Sequence, residues 1–171
     1  MRWMWIDAIT DFESGKRLVA VKNVSLSEDH IHDHFPAQGE KSAMPVMPNS
    51  LIVEGMAQTA GILVGSVNGF REKVVLAKIT RAVIERDVLP GRTIRYDASL
   101  ERMDSAGAAT TGTIEMLDHS TGEATLIGRV ELVFSHIDNN MSGMEFPEHN
   151  FVFSDNFRTI LKSAGLESLC D

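Results

Sequence analysis

A histidine and a glutamate lie near each other in a proline-rich run of this sequence. The run comprises His34-Phe35-Pro36, Pro45-Val46-Met47-Pro48 and Glu54-Gly55-Met56-Ala57-Gln58. An imidazole changes its protonation near neutral pH, and burial pushes a carboxyl group toward its protonated form. Such a pair can remove a proton from one carbon and protonate a hydroxyl group that leaves the next carbon. We therefore take His34 as a candidate base and Glu54 as a candidate acid.

Glu54 is the one charged residue in the apolar stretch of residues 51–70. Pro48 closes the preceding loop, and Asn49 or Ser50 can accept the first free amide hydrogens, so we expect a helix from there to about residue 69. An unpaired charge is costly in a buried helix, which favours a functional role for Glu54. The ordinary alternative is a glutamate that complements the helix dipole.

The same stretch is long enough to span a membrane, and Gly61, Gly65 and Gly69 repeat at every fourth position. Polar residues such as Gln58 dilute its apolar character, and a carboxylate is costly in lipid. We therefore expect a helix enclosed by protein and no membrane span.

Alternating apolar residues predict strands on both sides of this helix. We expect a strand at 18–26, an earlier strand or turn at 3–9, and later strands at 73–79, 82–87, 93–102, 108–117 and 125–135, the last three forming a meander. A helix that is apolar on every side is buried when a sheet encircles it. We therefore predict an α+β fold with a curled antiparallel sheet wrapped around one long central helix, completed by a homodimer that continues the sheet.

The length of 171 residues and the hydrophobic content of 43% suit one domain with a sizeable core. We assign residues 1–137 to this domain and residues 138–171 to a C-terminal extension. The extension would hold a linker near Asn139-Asn140 and a short amphipathic helix within residues 154–169, and we expect it to pack on the outside of the domain.

Charge and cysteine content exclude several classes of protein. The net charge of −8 argues against nucleic-acid binding, which needs clustered Lys and Arg. The single cysteine, Cys170, allows no intramolecular disulfide and fits a reducing compartment. An acidic residue, Asp7, interrupts the N-terminal region before an apolar signal core forms. We therefore expect a cytoplasmic protein.

The proline-rich run resembles the signature of bacterial 3-hydroxyacyl-ACP dehydratases of the FabZ type. The similarity extends from residues 5–7 and 15–20 through residues 88–91 to the strand that ends near Phe134. It implies the hot-dog fold, an obligate homodimer that often assembles as a trimer of dimers, and a 3-hydroxyacyl substrate carried by acyl carrier protein. It also implies that His34 of one subunit faces Glu54 of the other at the dimer interface.

The resemblance implies a hydro-lyase that converts (3R)-hydroxyacyl-ACP to trans-2-enoyl-ACP in fatty-acid or related lipid biosynthesis. The backbone amide of Asn49 would then stabilise the thioester oxygen, and Gln58 would orient Glu54 from one helical turn away. We include Met47 and Phe35 with Asn49 and Gln58 as substrate-binding candidates, and we expect no cofactor.

The sequence departs from the family pattern in and after the loop of residues 37–44. This loop is longer than the family's. If its extra residues bulge into solvent, His34 keeps its catalytic position, and if they do not, the loop withdraws His34 from the site. Asn49 and Ala37 each stand where the family commonly has glycine.

Three other interpretations follow from the same residues. One is a hot-dog thioesterase whose carboxylate activates water, and another is a non-catalytic module that binds acyl-ACP or acyl-CoA. The third is a metal site, since His30, His32 and His34 would share one side of an extended segment beside Asp33. The spacing fits metal binding poorly, so we expect no metal and expect His30 and His32 to lie exposed at the rim of a loop.

Acyl carrier protein is acidic, so its binding calls for a basic patch on this acidic chain. The candidates are Arg71, Lys73, Arg81, Arg86 and Arg102.

Overall fold

One antiparallel sheet of six strands surrounds a long helix in the computed structural model, which describes residues 4–137, 152–153 and 155–170. The sheet order is β1-β2-β4-β5-β6-β3. The strands are β1 (Ala8–Glu13), β2 (Arg17–Asn23), β3 (Val74–Ile84), β4 (Arg92–Asp104), β5 (Gly107–Asp118) and β6 (Glu123–His136). The helices are α1 (Asp29–Asp33), α2 (Asn49–Val67) and α3 (Asp155–Ser163), followed by a 3-10 turn at Glu167–Cys170.

Helix α2 occupies the centre of the fold. It contacts strands β2, β3, β4, β5 and β6, and twelve of its residues are buried. In β5, buried and partly exposed residues alternate because every second side chain points toward the helix. Helix α2 is long and apolar enough to cross a membrane, but 67% of that stretch is buried within the protein. These observations confirm the predicted hot-dog fold and the predicted enclosed helix.

Glycine allows α2 to approach its neighbours closely at Gly55. A Cβ atom at this position would lie 2.8 Å from the carbonyl oxygen of Trp5 and closer still to the phenol ring of Tyr96. Tyr96 is fully buried, so its ring has no open space into which it could move. The first half of α2 is therefore fixed against β4 and the N-terminal segment.

Several element boundaries differ from the sequence-based predictions. The strands predicted at 73–79 and 82–87 form the single strand β3, because bulges at Leu76/Lys78 and Ile79/Arg81 shift the register without ending its pairing with β6. Strand β1 begins at Ala8, later than predicted. Strand β2 and the meander β4-β5-β6 confirm the predictions for those regions.

The region around the candidate histidines was also predicted incorrectly. Residues 29–33 form helix α1, not an extended segment, so the predicted alignment of three imidazoles on one side of an extended chain is wrong. The N-cap of α2 is Pro48, with no side-chain capping bond, so the capping role predicted for Asn49 or Ser50 is wrong too.

A helix is present within the C-terminal stretch where one was predicted. Helix α3 packs against β1, and its residues Ile160 and Leu161 are buried in the hydrophobic core. The predicted linker near Asn139-Asn140 lies outside the described residues.

Candidate active site

Glu54 lies in the second turn of α2 and is partly buried. The Nε2 group of Gln58 donates a hydrogen bond of 3.0 Å to Glu54 Oε1. The backbone N–H of Trp5 donates a bond of 2.9 Å to Gln58 Oε1, so the Gln58 amide has a defined orientation with its NH₂ group toward Glu54. The predicted proximity of Gln58 to Glu54 is confirmed. Gln58, itself buried, holds one carboxylate oxygen in place.

Glu54 opens onto a cleft of about 310 Å³, which we call the Glu54 cleft. Its walls come from one face of α2, the start of β3, Phe134 of β6, and Phe153 and Phe157 of the C-terminal segment. Glu54 and Gln58 are the polar side chains among its described lining residues. A mostly apolar cleft with one oriented carboxyl group fits a hydrocarbon chain that carries a polar reacting end.

His34 follows α1 and is solvent-exposed in the single chain. Its Nδ1 lies 3.2 Å from the carbonyl oxygen of Val46. A carbonyl can only accept a hydrogen bond, so Nδ1 carries a hydrogen, and in the neutral imidazole Nε2 then keeps its lone pair. The ring of Phe35 stacks on the imidazole with centroids 4.2 Å apart. These contacts hold the ring in a form whose Nε2 can accept a proton.

The loop of residues 37–44, which follows His34, forms a small hairpin. Gln38 and Lys41 exchange two backbone hydrogen bonds of 3.1 Å, and Gly39 has a φ of 60°, which favours glycine. The amide of Met44 donates to the carbonyl of Phe35 at 3.0 Å and closes the base of the loop. Residues 36–44 are exposed in the single chain, so of the two courses that the sequence left open the loop takes the one that bulges into solvent.

The start of α2 presents backbone N–H groups beside this loop. The first bonds of the helix are donated by Leu51 and Ile52 to the carbonyl of Pro48, at 2.9 and 3.2 Å. The amides of Asn49 and Ser50 precede these bonds and have no acceptor within the helix. Asn49 itself is an exposed residue.

The structure divides the predicted site residues into two groups. Glu54 and Gln58 line the Glu54 cleft. The other four are absent from its described lining in the single chain: His34, Phe35, Met47 and Asn49. Met47 is buried in the core, whereas Phe35 keeps 46% of its surface exposed.

Sequence reasoning missed the aromatic part of the cleft. Phe134, Phe153 and Phe157 line it, although α3 had been predicted to pack on the outside of the domain. The apolar spacing of Phe157 with Ile160 and Leu161 indicated an amphipathic helix, but a sequence pattern does not show which surface such a helix covers.

Two further residues differ from their predicted roles. Lys73 is buried, so it cannot belong to an exposed basic patch in the way that Arg71 can. His30 packs its ring edge-on against Trp5 at 4.8 Å instead of lying exposed at the rim of a loop. Burial lowers the pKa of His30, because its charged form loses water contacts.

Comparison with known proteins identifies the family of this chain. A family model described as a FabA-like domain matches residues 2–122. The 3-hydroxyacyl-[acyl-carrier-protein] dehydratase FabZ of Clostridium tetani is 31% identical over 71% of this chain and 82% of the relative. The protein of the same name from Symbiobacterium thermophilum is 36% identical over 72% and 84%, respectively.

Solved structures with this fold share much less sequence. A thioesterase family protein from Silicibacter pomeroyi superimposes with a TM-score of 0.60 at 11% identity, covering 77% of this chain and 84% of that one. An acyl-CoA hydrolase from Staphylococcus aureus gives a TM-score of 0.56 at 14% identity, covering 87% of each chain. These likenesses show the fold, whereas the family-model match shows that the chain belongs to the FabA-like family.

Proposed function

We propose that this chain dehydrates (3R)-hydroxyacyl-ACP to trans-2-enoyl-ACP in fatty-acid or related lipid biosynthesis. The observation that carries the proposal is the carboxyl group of Glu54, which Gln58 orients at an apolar cleft. The relatives named as FabZ dehydratases support the same reaction. The cleft accommodates the acyl chain, and the carboxyl group lies at the reacting carbons.

His34 acts as the base and Glu54 as the acid. Nε2 of His34 takes a proton from C2 of the substrate, and the electron pair of that C–H bond forms the C2–C3 double bond. The carboxyl group of Glu54 protonates the C3 hydroxyl, which leaves as water. The amide of Asn49, with the dipole of α2, stabilises the negative charge that builds up on the thioester oxygen.

The acid and the base come from different subunits of a homodimer. His34 is not among the described residues that line the Glu54 cleft of its own chain. Strand β3 forms one edge of the sheet and exposes 38% of Leu76 and 46% of Ile79. Exposed apolar edge strands are normally covered in natural proteins, so this edge suits a second copy that continues the sheet. A trimer of such dimers is the larger assembly implied by the family resemblance.

Acyl carrier protein delivers the substrate to this dimer in the cytoplasm. Arg71, Arg81, Arg86 and Arg102 are exposed and can meet an acidic carrier, although Arg81 already lies 3.9 Å from Glu131. Charge attraction of this kind accelerates the encounter of two proteins and fixes their orientation. Charge reversal at Arg71 or Arg86 should therefore raise KM more than it lowers kcat.

The decisive experiment is turnover of 3-hydroxyacyl-ACP by the full chain and two variants. His34→Ala and Glu54→Gln should each lower kcat by about 10²–10⁴-fold, the range expected for loss of a general acid or base. Glu40→Gln, the same chemical change in the exposed hairpin, is the matched control and should retain wild-type activity. Turnover that both site variants leave unchanged would overturn the proposal.

Mixing the two inactive variants tests where the acid and the base come from. A heterodimer of His34→Ala and Glu54→Gln contains one site with both residues intact if the site is shared between subunits. Coexpression with two affinity tags should therefore yield a dimer with restored activity. No recovery would show that His34 and Glu54 act within one subunit.

Two other outcomes of the turnover assay would support the alternative functions. Release of free thiol from acyl thioesters would support a thioesterase, and binding without turnover would support a binding module.

A further inference from the structure

The C-terminal segment contributes two aromatic walls to the Glu54 cleft. Phe153 and Phe157 line the same cleft as Glu54. Both lie beyond residue 122, where the match to the FabA-like family model ends. This part of the cleft is therefore added by a segment outside the part of the chain that the family model describes.

The ring of Phe153 is seated directly on the backbone of α2. A Cβ atom at Gly65 would lie 2.5 Å from Phe153 Cζ, so only glycine leaves room for the ring at this position. Phe70 meets the ring edge-on with centroids 4.6 Å apart, and Phe157 meets it at 5.9 Å. Phe153 is thus held on three sides by aromatic and backbone contacts.

Helix α3 anchors this aromatic wall to the rest of the protein. Leu161 is 1% exposed and Ile160 is 8% exposed, and both belong to the hydrophobic core. Burial of two such side chains contributes about 3–6 kcal/mol relative to their exposure. The wall is therefore a packed part of the fold.

The ring of Phe153 covers α2 at a defined distance from Glu54, and this distance sets the length of the cleft. Glu54, Gly61 and Gly65 lie on one face of the helix, because their spacings of seven and eleven residues are close to whole turns. With a rise of about 1.5 Å per residue, Gly61 is about 10 Å and Gly65 about 16 Å from Glu54 along the axis. At Gly61 the helix face is open to the cleft, whereas at Gly65 the ring of Phe153 covers it.

We propose that Phe153, supported by Phe157, is the end wall of the acyl cleft and limits the length of the acyl chain that the enzyme accepts. An acyl chain that extends from Glu54 along this face passes over Gly61 and meets the Phe153 ring at Gly65. This inference rests on the proposed function for its substrate class. Its new content is that the C-terminal segment selects chain length.

The test compares kcat/KM across 3-hydroxyacyl-ACP substrates from butyryl to hexadecanoyl. Phe153→Ala removes the wall and should raise the ratio of longest-chain to shortest-chain kcat/KM by about tenfold or more, since each methylene group in an apolar pocket is worth at least that factor. Phe153→Leu keeps an apolar side chain at the wall and should retain the wild-type profile. Phe12→Ala removes a phenylalanine that packs on the core away from the cleft, and it should leave the profile unchanged.

Phe153→Ala could loosen α3, and the test would then need a second variant. That variant is Gly61→Val, which narrows the cleft. A Cβ at Gly61 would lie 3.6 Å from the Phe134 ring, an ordinary contact, so the added methyl groups of Gly61→Val would occupy the cleft. This variant should lose activity on long chains before it loses activity on butyryl. If Phe153→Ala folds, an unchanged length profile in that variant overturns the inference. If Phe153→Ala does not fold, an unchanged length profile in Gly61→Val overturns it.

Binding measurements separate this inference from the proposed function. Acyl-pantetheine thioesters of the same chain lengths can be titrated calorimetrically against the full chain without any turnover. If the wild type dehydrates no substrate but Phe153→Ala binds longer acyl chains than the wild type does, the proposed function fails and the end wall stands. If the wild type dehydrates substrate and Phe153→Ala alters neither binding nor turnover with length, the end wall fails and the proposed function stands.

Discussion

The two halves of the proline-rich run are held in place in very different ways. Glu54 stands on a helix with twelve buried residues, and its partner Gln58 bonds to the backbone of Trp5 from a distant part of the chain. His34 stands at the edge of an exposed loop, where one bond to the Val46 carbonyl and the stacked ring of Phe35 hold it. The acid is positioned by the core, and the base by local contacts.

This difference separates the effects of mutation in the two halves. A side chain on a packed helix is held in position by close-packed neighbours, so changes in volume next to it cost stability. A side chain on a loop depends on a few nearby hydrogen bonds, so changes elsewhere in the loop have local effects. Changes near Glu54 should therefore cost stability, whereas changes near His34 should cost activity without unfolding the protein.

The largest effect on stability should come from Gly55→Ala, which tests the packed half. The new methyl group would lie 2.8 Å from the Trp5 carbonyl oxygen and closer to the buried ring of Tyr96. Overpacking costs about 3 kcal/mol or more in such a site. The higher helix propensity of alanine returns about 1 kcal/mol. The free energy of unfolding in urea should fall by about 2 kcal/mol.

Gly61→Ala is the matched control on the same helix. Its methyl group meets the Phe134 ring at 3.6 Å, an ordinary contact without overpacking. The free energy of unfolding should therefore rise by up to about 1 kcal/mol, because alanine has the higher helix propensity. Equal destabilisation by the two alanines would show that close packing at Gly55 is not what fixes this half of the run.

A smaller effect is expected from Gln58→Met, which keeps the side-chain length but removes the hydrogen bonds of the amide to Trp5 and Glu54. The bond to the carboxyl group of Glu54 is worth about 0.5–1.5 kcal/mol, as for other intramolecular hydrogen bonds. The carboxyl group would lose its orientation, so kcat should fall by about tenfold with little change in KM. Steady-state kinetics and urea unfolding measure the two consequences separately.

Gln38→Met makes the same chemical change in the exposed hairpin and should leave kcat and stability unchanged. Loss of stability in Gln58→Met without any change in kcat would show that the Trp5–Gln58–Glu54 chain of bonds serves the fold and not the reaction.

The packed half was the easier one to predict from sequence. A long apolar run after Pro48 allows few structures other than a buried helix, and the Glu54 to Gln58 spacing of one turn places both on one face. The strands of the meander followed from alternation and glycine-containing turns. The aromatic wall at Phe153 was not predictable, because its contact with Gly65 joins segments separated by about half of the chain.

The loop half was predicted less well because its structure depends on weak local preferences. Helix α1 has five residues and no capping side chain, so neither length nor a cap marked it in the sequence. The hairpin at Gln38 and Lys41 was not predicted, and the sequence left open whether this loop bulges outward. Single backbone bonds such as that from Met44 to Phe35 decide the conformation here, and composition does not encode them.

The smallest effect should follow from deletion of residues 38–41, the tip of the hairpin. The bonds that position His34 and close the loop base, to Val46 and between Met44 and Phe35, lie outside the deletion. Closure free energy changes slowly with loop length, so stability should change by less than about 1 kcal/mol and dehydratase turnover should persist.

Met44→Pro is the comparison variant, because it removes the N–H that closes the loop base. It should lower turnover at nearly unchanged melting temperature. If the tip deletion abolishes turnover while Met44→Pro does not, the hairpin itself is part of the site and His34 does not depend on the loop base.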